Sequence, residues 1–414
     1  METHMKNKSL YHWLVAVCCA IIIMVAVGMV VNCAGLFYTA VADDLGIRRG
    51  DVALYGTIVS LLGGFFSPAV AKLMTKMNFT LMLTVGLVME CVCYGALSFC
   101  SEIWMFYILA VFIGTGFCLC TSMPLLMVVN NWFEQMNGLV TGIVMASTGI
   151  GGAIFTQILN ALISNLGWRA SYRTGAVIAL VLALPGILFV IRLTPEEKGY
   201  LPYGASMSRS AYSANITGTE KKEKIISVPL ITLIIAAIAS ACVTALNSHF
   251  SGYATEIGAG VAMGAMMMTG CSVGNIVSKL LFGILSDRIG PYITVVAFGT
   301  ITAVDLFIIG ISSFNNPVVL FTLGFLYGAS FAYCSVAIPL IVRKIFGPER
   351  YARAFSIVNI FTNGGFAVFL SVIGYIYDFT GTYRISVFIC LAFTIISVVF
   401  VFVAAASGRK KFYR

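Results

Sequence analysis

Residues 13–40 read WLVAVCCAIIIMVAVGMVVNCAGLFYTA, a long run without a charged side chain. About 20 apolar residues are enough for a helix to cross the roughly 30 Å hydrocarbon core of a bilayer. Similar runs recur along the chain without alternation between apolar and polar residues, which excludes a membrane β-barrel. A backbone in lipid must satisfy its N–H and C=O groups internally. The sequence therefore predicts an all-α membrane protein.

The overall composition agrees with this prediction. Of 414 residues, 60% are hydrophobic and 10% are charged, whereas soluble domains carry about 45–50% apolar and about 25% charged residues. The first run is too long for the apolar part of a signal peptide, so we interpret it as a retained span. The net charge of +9 does not indicate nucleic acid, because Lys and Arg cluster between the apolar runs.

The apolar runs predict twelve transmembrane helices. They cover 13–40, 52–71, 80–100, 103–129, 138–162, 173–192, 226–248, 261–285, 291–313, 317–342, 354–376 and 385–407. One connection, 193–225, is long, polar and rich in Ser, which is typical of a linker or a disordered segment. We therefore expect two six-helix bundles, 1–192 and 226–414, joined by a cytoplasmic linker loop.

The distribution of the 25 Lys and Arg residues predicts the orientation. Most of them fall on the side that holds both chain termini and the linker. The opposite side holds Arg48, Arg49, Arg169, Arg173 and Arg384. Cytoplasmic loops carry the excess of basic residues, so we expect both termini in the cytoplasm of a bacterial cell, with the chain in its cytoplasmic membrane.

The two halves contain similar motifs in the same order. An aromatic residue, a Gly-rich segment and an arginine follow one another as Phe133, Gly151 and Arg169 in the first half. Phe346, Gly364 and Arg384 repeat this order in the second half at similar spacing. Many secondary transporters are built from such six-helix repeats.

This layout resembles the major facilitator superfamily. The segment GILSDRIG at 283–290 is similar to the cytoplasmic signature of that superfamily. The resemblance implies that Asp287 and Arg288 form a cytoplasmic gate at a helix end. The alternative is that they belong to a solvated loop.

A narrower resemblance involves NNWFEQMNGLVTGIVMASTGIGG at 130–152 and GWRASY at 167–172. These stretches are similar to the oxalate:formate antiporters and the related monocarboxylate transporters. The resemblance implies that Lys279 takes the place of an arginine that binds the substrate carboxylate. It also implies that Asn275 stands where an acidic residue is common, which leaves proton symport in doubt.

Lys279 is the strongest functional candidate from the residues alone. A charge inside a span costs about 2.5–3.5 kcal/mol on insertion scales, so it indicates function by default. Ser272 and Asn275 share its helical face. Lys presents a point charge where Arg presents a fork, so we expect one carboxylate to be bound. The alternative is that Lys279 extends its ammonium to the cytoplasmic interface.

Other polar residues extend this hypothesis to the remaining helices. Asn363 lies on a second polar stripe with Ser356 and Asn359, and we also predict Asn32 and Tyr333 as substrate-binding residues. Each of these is individually more typical of helix packing.

Two intramembrane carboxyl groups, Glu90 and Asp305, allow either proton binding or a protonated structural role. The twelve cysteines lack metal-binding spacing, so we expect neither a metal nor a cofactor. Enzyme and nucleotide-binding motifs are absent from the sequence.

The leading hypothesis is a secondary transporter of a small organic anion, most simply a monocarboxylate. It would work by alternating access as a monomer in the bilayer, with a proton or a counter-anion as the coupled ion. The alternative is efflux of amphipathic or drug-like compounds, for which a Met-rich segment at 263–268 would supply an adaptable surface. A membrane sensor is a third possibility.

Overall fold

The computed structural model describes residues 2–47, 49–74, 76–204 and 227–412. This part of the chain is helical, and its only bridge of the β type joins Phe133 to Tyr203. The prediction of an all-α membrane protein is confirmed.

Nine helices in the described residues are long and apolar enough to cross a membrane, or ten if one bent pair counts as a span. Two of the nine, Asn137–Val190 and Pro317–Tyr377, contain 54 and 61 residues. Gly167 (φ 78°) and Gly347 (φ 72°) interrupt them with non-helical backbone. At 1.5 Å per residue each is far longer than the bilayer core is thick, so we divide each at its glycine.

On that division we number the helices in chain order. They are α1 (Leu10–Tyr38), α2 (Leu54–Phe65 and Ser67–Leu73, bent by 46°), α3 (Phe79–Phe99), α4 (Ile103–Trp132), α5 (137–166), α6 (168–190), α7 (Val228–His249), α8 (Met266–Ile289), α9 (Pro291–Ile311), α10 (317–346), α11 (348–377) and α12 (Arg384–Ser407). Each overlaps one of the ranges predicted from hydropathy.

The chain divides into two compact units. The first contains Met1–Ser227 with Pro348–Arg353, and the second contains Val228–Gly347 with Ala354–Arg414. The division of the chain into two six-helix bundles, 1–192 and 226–414, stays a prediction.

Residues 193–204, the first part of the predicted linker, form an ordered strap on the first unit. The backbone N–H of Tyr203 donates to the carbonyl of Trp132 at 2.8 Å, and the Trp132 indole donates to the carbonyl of Arg192 at 2.9 Å. A capping box of Thr194 and Glu197 closes a short helical turn. The remainder of the predicted linker, 205–225, lies outside the described residues.

Aromatic rings hold the strap against α1. Tyr200 stacks on Tyr11 with ring centroids 4.9 Å apart. His12 is buried, its ring lies edge-on to Tyr200 and Tyr203, and its Nε2 is 2.8 Å from the carbonyl oxygen of Leu201. Buried aromatic contacts of this kind explain why a segment with polar composition is ordered here.

Within the first unit, α1 is irregular where it meets α5. Its segment Met24–Val31 is a π-helix. A Cβ atom on Gly28 would lie 2.8 Å from the Cα of Gly151, so only glycine permits this contact. Gly28 and Gly151 therefore have a structural role in joining α1 to α5.

Candidate functional site

Lys279 lies deep in a continuous helix of the second unit. The helix Val261–Ile289 continues ten residues beyond it, or about 15 Å, farther than we expected from hydropathy. The side chain is only 4% exposed. The ammonium group is therefore not at the protein surface, which argues against the interfacial alternative.

Glycines place α8 directly against α10. A Cβ atom on Gly274 would lie 2.0 Å from the carbonyl oxygen of Phe325, and one on Gly328 would lie 2.3 Å from the carbonyl carbon of Gly274. The Ser278 hydroxyl donates to the carbonyl of Gly328 at 2.7 Å. Such backbone contact is how small residues hold membrane helices together. It fixes Lys279 on a rigid pair of helices.

The spacing of these glycines is a signal in the sequence that hydropathy and charge do not reveal. Gly270 and Gly274 are four residues apart in α8, and Gly324 and Gly328 are four apart in α10. This GxxxG spacing is a known mark of close helix packing in membranes.

Cys334 on α10 lies near Lys279 and joins it to Ser240 on α7. Cys334 interacts electrostatically with Lys279 and also interacts with the side chain of Ser240. Lys279 has further interactions, so it is part of a polar network. The structure thus connects a predicted site residue with two residues that the sequence did not indicate.

The stripe predicted on α8 is not uniform in its burial. Ser272 is exposed and donates to the carbonyl of Met268 in its own helix at 3.0 Å. Asn275 is half-buried, and its Oδ1 is a buried acceptor without a hydrogen-bond partner among the described residues. Asn275 therefore retains an unused polar group close to Lys279 in the sequence, whereas Ser272 does not.

The stripe on α11 is hydrogen-bonded along its helix. The amide of Asn363 donates to the side-chain oxygen of Asn359 at 3.2 Å and to its carbonyl at 2.9 Å. Ser356 is buried and Asn359 is half-buried. This ladder orients Asn363.

Tyr333 is directed into the packing of the second unit. It is buried in a π-helical turn of α10, Tyr333–Ala337. Its hydroxyl is 3.1 Å from the hydroxyl of Ser397 on α12, which in turn donates to the carbonyl of Ala236 on α7 at 2.6 Å. The phenol therefore ties three helices together.

Asn32 lies in the first unit, in the turn after the π-helix of α1. It is exposed, and its amide donates to the carbonyl of Thr148 on α5 at 3.1 Å. The structure thus gives it a role in joining α1 to α5.

Asp287 and Arg288 are exposed in the last turn of α8, just before Gly290 turns the chain with φ 87°. Gating by this pair stays a prediction.

The two intramembrane carboxyl groups differ in their surroundings. Both side chains are completely buried. Glu90 accepts a hydrogen bond from the thiol of Cys120 at 3.2 Å. Neither oxygen of Asp305 has a hydrogen-bond partner among the described residues.

The Met-rich segment 263–268 is partly packed in the second unit, and its Met266 is exposed. Met267 is fully buried in the core of the second unit, and Met263 and Met268 pack against the same core.

Comparison with known proteins identifies the family. The sequence profile described as the Major Facilitator Superfamily matches residues 20–268 and 232–412. The chain belongs to the major facilitator superfamily. The resemblance inferred from 283–290 is therefore confirmed, and the protein is a multi-pass membrane transporter.

The relatives of this transporter are distant. Monocarboxylate transporter 12 of Mus musculus is 22% identical over 407 residues, covering 91% of this chain and 82% of the mouse protein. Monocarboxylate transporter 12-B of Danio rerio is 24% identical over 329 residues, and the match covers 74% of this chain and 67% of the fish protein. The MFS-type transporter pynF of Aspergillus niger is 23% identical over 292 residues. This match covers 69% of this chain and 63% of the fungal protein.

Among solved structures, the transporter is similar in fold to the superfamily member FucP in its outward conformation. The TM-score is 0.71 at 15% identity, and the match covers 94% of this chain and 98% of FucP. A likeness at this identity concerns the fold alone.

Proposed function

We propose that this transporter carries a small organic anion, specifically a monocarboxylate, by alternating access as a symporter or an antiporter. The observation that carries the proposal is the buried ammonium of Lys279. Keeping a cation in the interior of a membrane helix is costly. A bound carboxylate would compensate that charge in a site of low dielectric.

Lys279 is also held rigidly, which is what an anion site requires. The glycine contacts between α8 and α10 leave the two helices little freedom to separate. Interactions with immobile groups cost less ordering free energy when a ligand binds. We assign to Lys279 the role of attracting the carboxylate.

Amide groups would complete the site. Asn275 carries a buried, unused amide oxygen, and the orientation of an amide can invert to present its NH₂ group instead. Asn363 and Asn32 are proposed as further hydrogen-bond donors. We give Tyr333 a supporting role, because its hydroxyl is bonded to Ser397.

The proposed site contains one positive charge, that of Lys279, which favours a monoanion as the substrate. Lys is a point charge that binds one carboxylate group without the bidentate geometry of Arg. The similarity to proteins named monocarboxylate transporter 12 supports the same substrate class. Localisation in a bacterial cytoplasmic membrane, with both termini inside, is part of this proposal.

The test is uptake of labelled lactate, pyruvate, formate and oxalate into proteoliposomes. Truncation of a buried charged partner costs about 2 kcal/mol or more, so Lys279→Ala should lower saturable monocarboxylate flux by about thirtyfold or more. Lys198→Ala is the matched control, because it removes an exposed lysine. Flux through Lys279→Ala equal to that of the wild type would refute the site.

A further inference from the structure

Asp305 is a buried acid that has no role in the proposed anion-binding site. It lies in α9, is completely buried, and has two carboxylate oxygens without hydrogen-bond partners among the described residues. An ionised carboxylate in such a place is strongly unfavourable unless a partner compensates it. The resting form of this group is therefore the neutral acid.

The titratable groups near Asp305 are themselves uncharged when they carry their protons. They are Tyr253, after α7, Cys271 on α8 and Tyr327 on α10. Cys390 on α12 interacts in turn with Tyr327.

Both tyrosine hydroxyl protons are used elsewhere. Tyr253 donates to the carbonyls of Ile309 and Ser312, at 2.7 and 3.2 Å, and Tyr327 donates to the carbonyl of Val243. Neither phenol is oriented to stabilise a carboxylate at Asp305. Hard metal cations require several oxygen ligands at once, so the ligand that suits these oxygens is a proton.

Polar groups extend from Asp305 in two directions within the second unit. Toward the predicted outer side, Tyr253 interacts with Asp305, Glu256 and Arg384. In the other direction, Thr302 precedes Asp305 by three residues and lies on the same face of α9. Its hydroxyl is buried without a hydrogen-bond partner among the described residues.

Thr302 contributes to a small cavity with room for about one water molecule. Hydroxyl groups dominate its polar lining, from Ser240, Thr302, Ser330, Tyr333, Thr394 and Ser397. Ser240 interacts with Cys334, which interacts with Lys279. The polar side chains thus continue from Asp305 to the proposed anion site within one unit.

We propose that Asp305 is a proton-binding site that couples proton movement to transport of the carboxylate. One proton adds to a carboxylate oxygen on one side of the membrane and leaves it on the other, and no other bond changes. The coupling rests on the proposed function. In this chain α8 carries Asn275, and not an acid, one helical turn before Lys279. The proposed proton-binding acid, Asp305, lies on the next helix, α9.

Two transport assays in proteoliposomes separate the coupling to protons from the binding and exchange of the substrate. We would measure exchange of labelled lactate at equal concentrations, and its accumulation driven by an inward proton gradient. Asp305→Asn mimics the neutral acid, so exchange should stay within about threefold of the wild type while accumulation falls about tenfold or more. A purely structural residue would affect both modes together.

Glu90→Gln is the matched control, because it also removes a buried carboxyl group, one that is bonded to Cys120. It should retain both modes. The proposal is overturned if Asp305→Asn accumulates lactate as the wild type does, or if Glu90→Gln alone loses accumulation.

A second measurement does not require a known substrate. Dicyclohexylcarbodiimide adds the O–H of a protonated carboxyl group across its N=C bond, and the product rearranges to a stable N-acylurea. Peptide mass spectrometry of the labelled wild type should find this adduct on Asp305 at neutral pH, with loss at alkaline pH, and not on the exposed Asp287. An unlabelled Asp305 overturns the proton site. Absence of lactate exchange in the wild type instead counts against the proposed function.

Discussion

The carboxylate of Glu256 accepts a hydrogen bond from the backbone N–H of Tyr383, with 2.6 Å between Oε2 and N. Its other oxygen accepts a hydrogen bond from the Thr382 hydroxyl. These bonds join the end of the short helix Phe250–Glu256, which follows α7, to the start of α12.

The first unit has the corresponding connection. Asp44 lies at the end of the helix Gly35–Leu45, which overlaps the end of α1 and continues beyond it. It forms an ion pair with Arg169 at the start of α6. A left-handed glycine precedes the second partner in each unit, Gly167 in one and Gly381 in the other. The repeat predicted from short motifs thus corresponds to the same type of closure between the first and last helices of each unit.

We predict that Glu256→Ala destabilises the second unit. Hydrogen bonds to charged groups contribute about 1.5–3 kcal/mol each, and this change removes two of them. The midpoint of thermal unfolding in detergent should fall by several degrees. Glu102→Ala is the control, since Glu102 is exposed and its side chain makes no capping bond. An equal shift for both variants would contradict the assignment.

Gly274→Ala should be far more damaging than an ordinary helix substitution. Its new methyl group would lie 2.0 Å from a backbone oxygen of Phe325, which neither helix can relieve without separating. We expect loss of the monodisperse peak in size-exclusion chromatography. Gly364→Ala, where no atom lies within 4 Å, should be neutral or stabilising, because Ala favours a helix by about 1 kcal/mol. Similar profiles for both variants would argue against the backbone contact.

His12→Ala should release the strap. The change removes the ring that lies against Tyr200 and Tyr203 and the hydrogen bond to Leu201. Trypsin should then cut after the exposed Lys198 several times faster, because cleavage follows the population of locally open chain. Leu10→Ala, on the same helix but 69% exposed, controls for a general loosening of α1. Mass spectrometry of the fragment ending at Lys198 gives the rates, and unchanged cleavage in His12→Ala would count against the strap.

Tyr333→Phe distinguishes a supporting residue from a substrate ligand. Loss of the bond to Ser397 should cost about 1 kcal/mol of stability. The KM for lactate should stay within about threefold of the wild type, because a remote packing bond contributes little to substrate binding. A rise in KM of about tenfold or more, without a change in thermal midpoint, would show that the phenol contacts substrate directly.

Hydropathy located the membrane helices with small errors in their ends. It also singled out Lys279, because a single charge inside an apolar run is visible without any structure. The position of Lys279 relative to the helix end was less accurate, since α8 continues to Ile289 through polar residues that hydropathy assigned to a loop.

The contacts around Lys279 were not predictable in the same way. Cys334 and Ser240 belong to other helices, and nothing in their local sequence distinguishes them from other small residues in apolar runs. The sequence predicts Tyr333 as a substrate-binding residue, and the structure places its hydroxyl within hydrogen-bond distance of Ser397. The direction of a side chain depends on which helices are neighbours, and that information is distributed over distant parts of the chain.

The strap shows the same limit for a polar segment. The predicted linker 193–225 is polar and Ser-rich as a whole, a composition typical of disorder, but its first part, 193–204, contains no serine. Rings from α1 and from the end of α4 pack against this first part and order it.

By itself, the sequence determined that this protein folds in a lipid bilayer. The length and continuity of its apolar runs require helices in lipid. Isolated charges inside those runs, such as Lys279, are the exceptions and indicate candidate functional residues. Only the tertiary structure decided which polar groups meet. The GxxxG spacing marks a helix for close packing, but the sequence does not say which helix is its partner. The contact of Gly274 with Gly328 depends on the shapes of two helix surfaces, which meet only after the chain has folded.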